Sequence, residues 1–125
     1  MAKDILILAE HANGKLKKYS WELAGVAKSL AGKTGGQVHA LLIGSGVTAF
    51  ASELGKYGVA KVHVVDSGDF ANYNAEAWTN ARTAAAKAVA PAAVLGTASP
   101  IGKDTLPRVA ARLGVGKLGE HRVDG

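Results

Sequence analysis

Three short segments hold most of the side chains that are able to bind a ligand. Each directly follows an apolar run and consists of small or polar residues: Glu10–Gly14, Gly44–Gly46 and Thr97–Asp104. The third segment also offers a lysine and the start of a helix, where backbone N–H groups and a cation favour a phosphate. The candidate residues for a nucleotide crevice are His11, Gly44, Ser45, Gly46, Thr97, Ser99, Gly102 and Lys103.

A second interpretation of these segments needs no ligand. Gly102, Lys103 and Asp104 also fit a tight loop with a capping aspartate and a solvated lysine, and this aspartate would oppose an anion. The segment Gly44–Gly46 lacks the spacing of a dinucleotide fingerprint, and the sequence contains no GxxxxGK(S/T) loop. The alternative function is that of a protein that binds an adenine nucleotide in a crevice between the first and third segments.

The sequence shows no group of residues arranged for catalysis or for binding a metal. His11 follows the first apolar run without a recognisable serine or aspartate partner. His39 and His63 fall inside predicted strands and His121 in the tail, so their separation gives no metal-ligand spacing. Cysteine is absent, which removes thiolate ligands and nucleophiles. We therefore predict no catalytic residue, no metal site and a protein that is not an enzyme.

Four apolar runs predict the strands of a parallel sheet. A near-continuous apolar run fits a strand that is buried on both faces. Strands that alternate with helices through right-handed crossovers form a doubly wound sheet, whose ligand crevice lies at the carboxyl ends where the winding reverses. The predicted strands are Asp4–Ala9, Gln37–Ile43, Lys61–Val65 and Ala92–Gly96.

The spacing of apolar residues predicts a helix after each strand. Ser20 is the predicted N-cap of the first helix, the second spans about 49–57, and the third spans about 74–89. Trp21 and Trp78 lie near helix starts and are expected to be packing residues. The expected buried face of the first helix consists of Leu23, Val26, Ala27, Leu30 and Ala31. The third helix has an alanine face for close packing, made of Ala77, Ala81, Ala84, Ala85 and Ala88.

The fourth helix carries the clearest amphipathic pattern. Its cap is predicted at Asp104 or Thr105, which places Pro107 in the first turn, where a missing N–H costs little. Gly114 ends the helix. The expected buried face consists of Leu106, Val109, Ala110 and Leu113.

Composition limits the classes of function. A length of 125 residues is that of one domain, and the formal charge of +5 is spread along the chain without the aromatic pattern of an RNA-binding domain. We expect no nucleic-acid partner. No run of eighteen apolar residues exists, and Met1 leads into an apolar strand rather than a targeting segment. We expect a soluble protein of the bacterial cytoplasm or, in a eukaryote, of the mitochondrial matrix.

Three pieces of the sequence resemble the α subunit of electron transfer flavoproteins. The first is Ile7–His11 together with Asn13–Leu16, and the second is Gly58–Val62. The most specific piece is Gly102–Leu113, which has the form GKDxLPRxAAxL. The resemblance runs from about Lys3 to about Val115. It implies an α/β fold of the adenine nucleotide alpha hydrolase-like type.

The resemblance also implies a function. Proteins of this family are heterodimers of an α and a β subunit that accept electrons from flavin dehydrogenases, such as those of fatty-acid β-oxidation. They pass the electrons through an FAD to a membrane quinone oxidoreductase. The family's FAD is held mainly by the C-terminal domain of the α subunit, which residues 1–125 do not include, so no FAD is expected on this chain. AMP belongs to the β subunit, and the N-terminal domain acts as scaffold and subunit contact.

Two arginines of the fourth helix are candidates for that subunit contact. Arg108 and Arg112 are four residues apart and share one face of the helix. Arginine suits bidentate pairing across an interface, whereas two solvated arginines would only keep the helix soluble. We predict that this face meets either the C-terminal domain or the β subunit.

Overall fold

The computed structural model describes residues 2–122, in which strands and helices alternate along the chain. The strands are β1 (Ile5–Leu8), β2 (His11–Ala12), β3 (Lys15–Leu16), β4 (Val38–Gly44), β5 (Lys61–Asp66), β6 (Ala93–Thr97) and β7 (Gly119–His121). The helices are α1 (Lys18–Thr34), α2 (Phe50–Lys56), α3 (Ala75–Val89) and α4 (Pro100–Leu113), with a single 3₁₀ turn at Gly68–Phe70. Within these residues, no helix has both the length and the apolar character needed to cross a membrane.

Five strands form one parallel sheet in the order β5-β4-β1-β6-β7. Strand β1 lies at the centre, where Ile5 pairs in register with Val38 of β4 and Ala93 of β6. The chain winds outward from β1 first to β4 and β5 and then to β6 and β7, so the winding reverses between β1 and β6. The predicted α/β fold with a doubly wound parallel sheet is confirmed.

The side chains of β1 alternate between two hydrophobic cores, one on each face of the sheet. Ile5 and Ile7 pack in the core covered by α1 and α2. Leu6 and Leu8 pack in the core covered by α3 and α4. Both faces of β1 are therefore sealed from water, which explains its unbroken apolar sequence.

Strand β7 and a small hairpin extend the predicted pattern. The segment Glu10–Gly14, predicted as a loop, instead contributes to the antiparallel pair of β2 and β3. The turn between them is Asn13-Gly14, and both residues have positive φ angles, 54° and 74°. This is the typical turn of a two-residue hairpin. The polar tail supplies β7, which pairs with β6, while residues 123–125 lie outside the described part of the chain.

The first helix begins earlier than predicted and buries a narrower face. Lys17 occupies the N-cap position without a side-chain cap, and Ser20 lies buried inside the first turn instead. Leu23, Ala27 and Ala31 are buried as predicted, but Val26 is 49% exposed. Trp21 is partly buried and stacks on Tyr57 of the segment after α2.

The buried face of α3 is polar as well as apolar, and only three residues of the predicted alanine face pack against the core. Ala84 and Ala88 are exposed, while Ala77, Ala81 and Ala85 are only partly buried. Asn74 caps the helix, and its side chain accepts a hydrogen bond from the N–H of Ala77. The buried residues are Trp78, Thr79, Arg82, Thr83 and Ala86.

Helix α4 begins at Pro100, so both predicted caps are wrong. Ser99 is the N-cap and its hydroxyl accepts the N–H of Gly102 at 3.0 Å, while Pro100 takes the first helical position. The segment Gly102–Asp104 is therefore helical rather than a tight loop, and Pro107 lies inside the helix. Leu106, Val109 and Ala110 are buried as predicted, whereas Leu113 is partly buried.

Gly102 allows the first turn of α4 to lie directly against the end of β6. A Cβ atom at this position would stand 1.7 Å from the carbonyl oxygen of Thr97. We expect Gly102→Ala to lower the free energy of unfolding by about 1–3 kcal/mol, because the backbone must shift. Chemical unfolding measures the loss.

Gly25→Ala is the matched control for this prediction. Gly25 lies in α1, and a Cβ there meets no heavy atom within 4 Å. The same substitution should stabilise the protein by about 0.4–1 kcal/mol, because alanine has less conformational freedom than glycine in the unfolded chain. Equal effects at the two positions would contradict the steric role of Gly102.

Candidate functional site

Glu10 lies where the winding of the sheet reverses, at the carboxyl ends of β1 and β6. Its backbone is held by α1, since its N–H donates to the hydroxyl of Ser20 at 2.8 Å and the Ser20 hydroxyl donates to its carbonyl oxygen at 3.1 Å. Its carbonyl also accepts the N–H of Lys17 at 2.9 Å. These bonds direct the side chain of Glu10 inward, and the residue is only 6% exposed.

Three hydroxyl groups surround the Glu10 carboxylate. Thr97 and Ser99, from the end of β6, donate to Oε2 at 2.8 Å and 2.7 Å. Tyr19 of α1 donates to Oε1 at 3.2 Å. Burial and the negative charge of Glu10 raise the pKa of the Tyr19 hydroxyl to about 12, so this group remains a donor at neutral pH.

Arg82 of α3 supplies the positive charge of this cluster. Its Nη2 lies 3.7 Å from Oε2 of Glu10, and its Nη1 donates to Oγ1 of Thr105 in α4 at 2.7 Å. Arg82 is 2% exposed. Burial lowers its pKa, while the charge of Glu10 acts in the opposite direction. An arginine remains protonated even so, and Glu10 and Arg82 form a buried ion pair.

The N-terminus of α4 has little capacity left for a phosphate. The N–H of Gly102 binds Ser99, and the N–H of Lys103 binds the Ser99 carbonyl at 2.8 Å. Pro100 has no N–H. The Ser99 hydroxyl donates its proton to the Glu10 carboxylate, so it is not available to donate to an incoming anion.

The remaining crevice candidates do not meet Thr97 and Ser99. His11 donates through Nε2 to the carbonyl of Ile43 at 2.8 Å, and its ring occupies the space that a Cβ on Gly44 would fill. Ser45 is exposed, and the N–H of Gly46 donates to Asp66 at 2.8 Å. Lys103 is exposed and borders a groove between α4 and β7. The eight predicted residues therefore form separate groups.

A small cavity lies beside the Glu10 cluster. Its volume is about 240 Å³, and it is bordered by Glu10, His11 and Asn13 on one side. The other side consists of the aromatic residues Phe70, Tyr73 and Trp78 together with Ile101. The ring of Trp78 meets those of Phe70 and Tyr73 edge to face, at centroid distances of 5.3 Å in both pairs. Trp78 is a buried packing residue, as the sequence predicts.

Arg108 and Arg112 have partners within the chain. Nη2 of Arg108 lies 3.6 Å from Asp104, and Arg112 donates to the side-chain oxygen of Asn80 in α3. Asp104 also accepts the Tyr73 hydroxyl at 2.6 Å, and burial together with this bond raises the pKa of Tyr73 to about 12. Asp104 therefore joins the segment before α3 to α4 instead of capping a helix.

Comparison with known families identifies the family to which this domain belongs. The family model for the electron transfer flavoprotein domain matches residues 5–118. The chain belongs to the electron transfer flavoprotein family. The resemblance stated from the sequence pieces is thus confirmed, including its assignment to α subunits.

Curated relatives of this flavoprotein domain carry names connected with electron transfer. The chain is 41% identical over 114 residues to electron transfer flavoprotein subunit alpha of Thermoanaerobacterium thermosaccharolyticum, covering 91% of this chain and 34% of that protein. It is 36% identical to subunit LctC of lactate dehydrogenase (NAD(+),ferredoxin) of Acetobacterium woodii, covering 91% and 27%. The chain spans about a third of the length of these relatives.

A solved structure shares the fold of this flavoprotein domain. The universal stress protein from Archaeoglobus fulgidus superposes with a TM-score of 0.60, covering 99% of this chain and 95% of that chain. Its sequence is 12% identical, so the likeness concerns the fold alone. It confirms the predicted type of α/β architecture.

Sequence reasoning missed the groups that complete the Glu10 cluster in this flavoprotein domain. Arg82 stands in an alanine-rich helix, where a single arginine reads as a solvated charge. Thr79 and Thr83, at positions i−3 and i+1, form a polar stripe with Arg82 on the buried face. This stripe is the sequence signal that could have identified Arg82 as a buried residue. The sequence separation of His39 and His63 gives no metal-ligand spacing, yet their rings meet in the sheet. Within residues 2–122, no group of three or more His, Cys, Asp or Glu could hold a metal ion.

The buried ion pair predicts a large effect of a nearly isosteric substitution. Glu10→Gln keeps the size of the side chain but leaves Arg82 charged and without a counter-ion. We expect a loss of about 3–5 kcal/mol in the free energy of unfolding, because an uncompensated buried charge is costly. Urea unfolding measures the loss.

Glu22→Gln and a double variant complete this test. Glu22 lies 3.7 Å from His121 and is half exposed, so its replacement should change stability by less than about 0.5 kcal/mol. Glu10→Gln combined with Arg82→Met should cost less than the sum of the single changes, because the two groups are coupled. Additive losses would show that the ion pair contributes nothing.

Proposed function

We propose that this domain is the scaffold and subunit-contact module of an electron transfer flavoprotein α subunit. In this proposal, the subunit forms a heterodimer with a β subunit, and its FAD is held by a part of the subunit outside residues 1–125. The observation that carries the proposal is the Glu10 carboxylate at the switch point. In open α/β sheets this is the place where a ligand binds, and here Thr97, Ser99 and Arg82 fill it with internal contacts.

The proposed role in electron transfer follows the names of the relatives. Electrons would enter the FAD of the complex from flavin dehydrogenases, such as those of fatty-acid β-oxidation, and leave to a membrane quinone oxidoreductase. A relative at 34% identity is named acryloyl-CoA reductase electron transfer subunit beta, from Anaerotignum propionicum. Together with the lactate dehydrogenase subunit, it extends the candidate donors and acceptors to acyl-CoA, hydroxy-acid and ferredoxin systems. The domain would carry no catalytic residue, and AMP would belong to the β subunit.

The first expected outcome concerns the 125-residue chain by itself. Purified from cells that make flavin, it should be colourless. The side chains around Glu10 fill its switch point, and the proposed FAD site lies outside residues 1–125. An absorption spectrum shows whether flavin is present. A stoichiometric flavin band would place the cofactor in this domain and would overturn the proposed division of roles.

The alternative function, a domain that binds an adenine nucleotide by itself, is tested with the same protein. Calorimetric titration with AMP and with ATP should give dissociation constants weaker than about 1 mM, because the Ser99 hydroxyl and the N–H groups of Gly102 and Lys103 at the start of α4 already have partners. Micromolar binding that Lys103→Ala abolishes would favour the alternative.

We further propose that Arg108 and Arg112 belong to the surface that meets the β subunit or the rest of the α subunit. Each guanidinium has five N–H donors, and the contacts with Asp104 and Asn80 leave others for a partner. Replacing both arginines by glutamine in the full-length subunit, co-expressed with its β partner, should lower the yield of heterodimer.

The matched control replaces Lys28 and Lys33 of α1 by glutamine, which removes the same charge from a different helix. Heterodimer yield and flavin retention are measured for both variants. Values equal to wild type in the arginine variant would show that Arg108 and Arg112 only keep α4 soluble.

A further inference from the structure

Three titratable side chains form a hydrogen-bonded chain that joins three neighbouring strands of the sheet. Oδ2 of Asp4, the residue before β1, lies 3.0 Å from Nε2 of His39 in β4. Nδ1 of His39 lies 2.9 Å from Nε2 of His63 in β5. The two imidazole planes differ by 8° with centroids 5.2 Å apart. At this nitrogen separation, the rings must therefore meet edge to edge in nearly one plane.

The carboxylate determines which ring nitrogens carry a proton. Asp4 accepts the N–H of Gln37 at 2.9 Å, and this bond, with a further contribution from His39, lowers the pKa of its carboxyl group. An ionised carboxylate only accepts hydrogen bonds, so His39 donates through Nε2. Its Nδ1 then holds a lone pair in the neutral ring and must accept from Nε2 of His63. The outer nitrogen of the chain, Nδ1 of His63, is left as the acceptor.

This chain has room for one added proton but not for two. A proton from solvent binds Nδ1 of His63, and the proton on its Nε2 moves to Nδ1 of His39. A second proton would place N–H groups on both facing nitrogens, so the bond between His39 and His63 must break.

The surroundings of His63 resist its protonation. Burial, the neighbouring His39 of β4 and Lys61 of its own strand all lower the pKa of His63, in that order. Across the chain, Asp4 supplies the opposing negative charge. A histidine whose pKa is lower in the folded state contributes its full stability above its unfolded value of about 6.5 and loses it as the pH falls below that value.

Strand β5 forms an edge of the sheet, where its ladder to β4 and the partly buried Val62, Val64 and Val65 hold it together with this chain. Within residues 2–122 it pairs only with β4, and none of its residues is fully buried, whereas every residue of β4 is buried. The other end of β5 is attached through Asp66, which accepts hydrogen bonds from the N–H of Gly46 at 2.8 Å and from the N–H and hydroxyl of Thr48 at 3.0 Å and 2.7 Å.

We propose that the Asp4–His39–His63 chain is an acid-sensitive latch that fastens the edge strand β5 to the sheet and releases it in mildly acidic solution. Release is local, because β1, β4 and β6 remain held by the two cores on either side of them. The exposed edge of β4 would then become available for pairing. The latch lies at the amino side of the sheet, away from the Glu10 cluster, and does not depend on the proposed function.

Amide hydrogen exchange of the 125-residue chain tests the latch, with exchange rates corrected for their intrinsic pH dependence. Above about pH 6.5 the opening equilibrium of the β5 amides should change little, and between about pH 6 and about pH 5 it should increase about tenfold per pH unit, which corresponds to uptake of one proton. The amides of β1 should show no such increase. In His63→Gln the side-chain amide keeps an N–H donor near the position of Nε2 but has no ring that titrates. The pH dependence of the β5 opening equilibrium should therefore disappear.

Two further variants and one spectroscopic measurement complete the test. Asp66→Asn should weaken β5 at every pH without removing the slope, and His121→Gln should leave the slope unchanged. Ring nitrogen NMR of the wild-type chain should show Nε2–H tautomers for both His39 and His63 at neutral pH. An unchanged opening equilibrium between these pH values, an equal slope in His63→Gln, or two independently titrating rings would each overturn the proposal.

Discussion

A buried carboxylate occupies the place where the winding of the sheet reverses, and the positions of four elements depend on it. Glu10 at the end of β1 accepts hydrogen bonds from α1 through Tyr19 and from the end of β6 through Thr97 and Ser99. Arg82 of α3 balances its charge. Two desolvated charges are costly unless their geometry is satisfied on all sides, so none of these elements is able to move without breaking the arrangement.

The same constraint bears on what this domain contributes to an electron transfer flavoprotein. A fold of this type supports many functions, because the loops at the switch point change while the sheet does not. The universal stress protein shares the sheet at 12% identity, which shows how little of the sequence the fold requires. In this domain the loops at the switch point bind one another through Glu10, Thr97 and Ser99.

The two ends of the sheet contain polar groups of different chemistry. At the carboxyl end, the cation is an arginine, whose charge does not change in the physiological pH range. At the amino end, two imidazoles stand between Asp4 and solvent, and imidazoles change charge near neutral pH. The central strands are covered on both faces by apolar cores, whereas β5 is partly exposed. A change in pH therefore acts on the edge of the sheet before it reaches the centre.

The sequence by itself determined the fold class, the strands β1, β4, β5 and β6, and the family. Apolar runs such as Ile5–Leu8 indicate burial on both faces, and the string Gly102–Leu113 identifies the family. Both signals are contained in short contiguous segments, so they are visible without the tertiary structure. The start of α4 is not fixed by a local pattern, since the sequence predicts a cap at Asp104 or Thr105 and only packing against β6 selects Ser99. The tertiary structure alone decided the polar clusters. Arg82 and Glu10 are 72 positions apart, and His39 and His63 meet only through the register of parallel strands, so no local pattern records either pair.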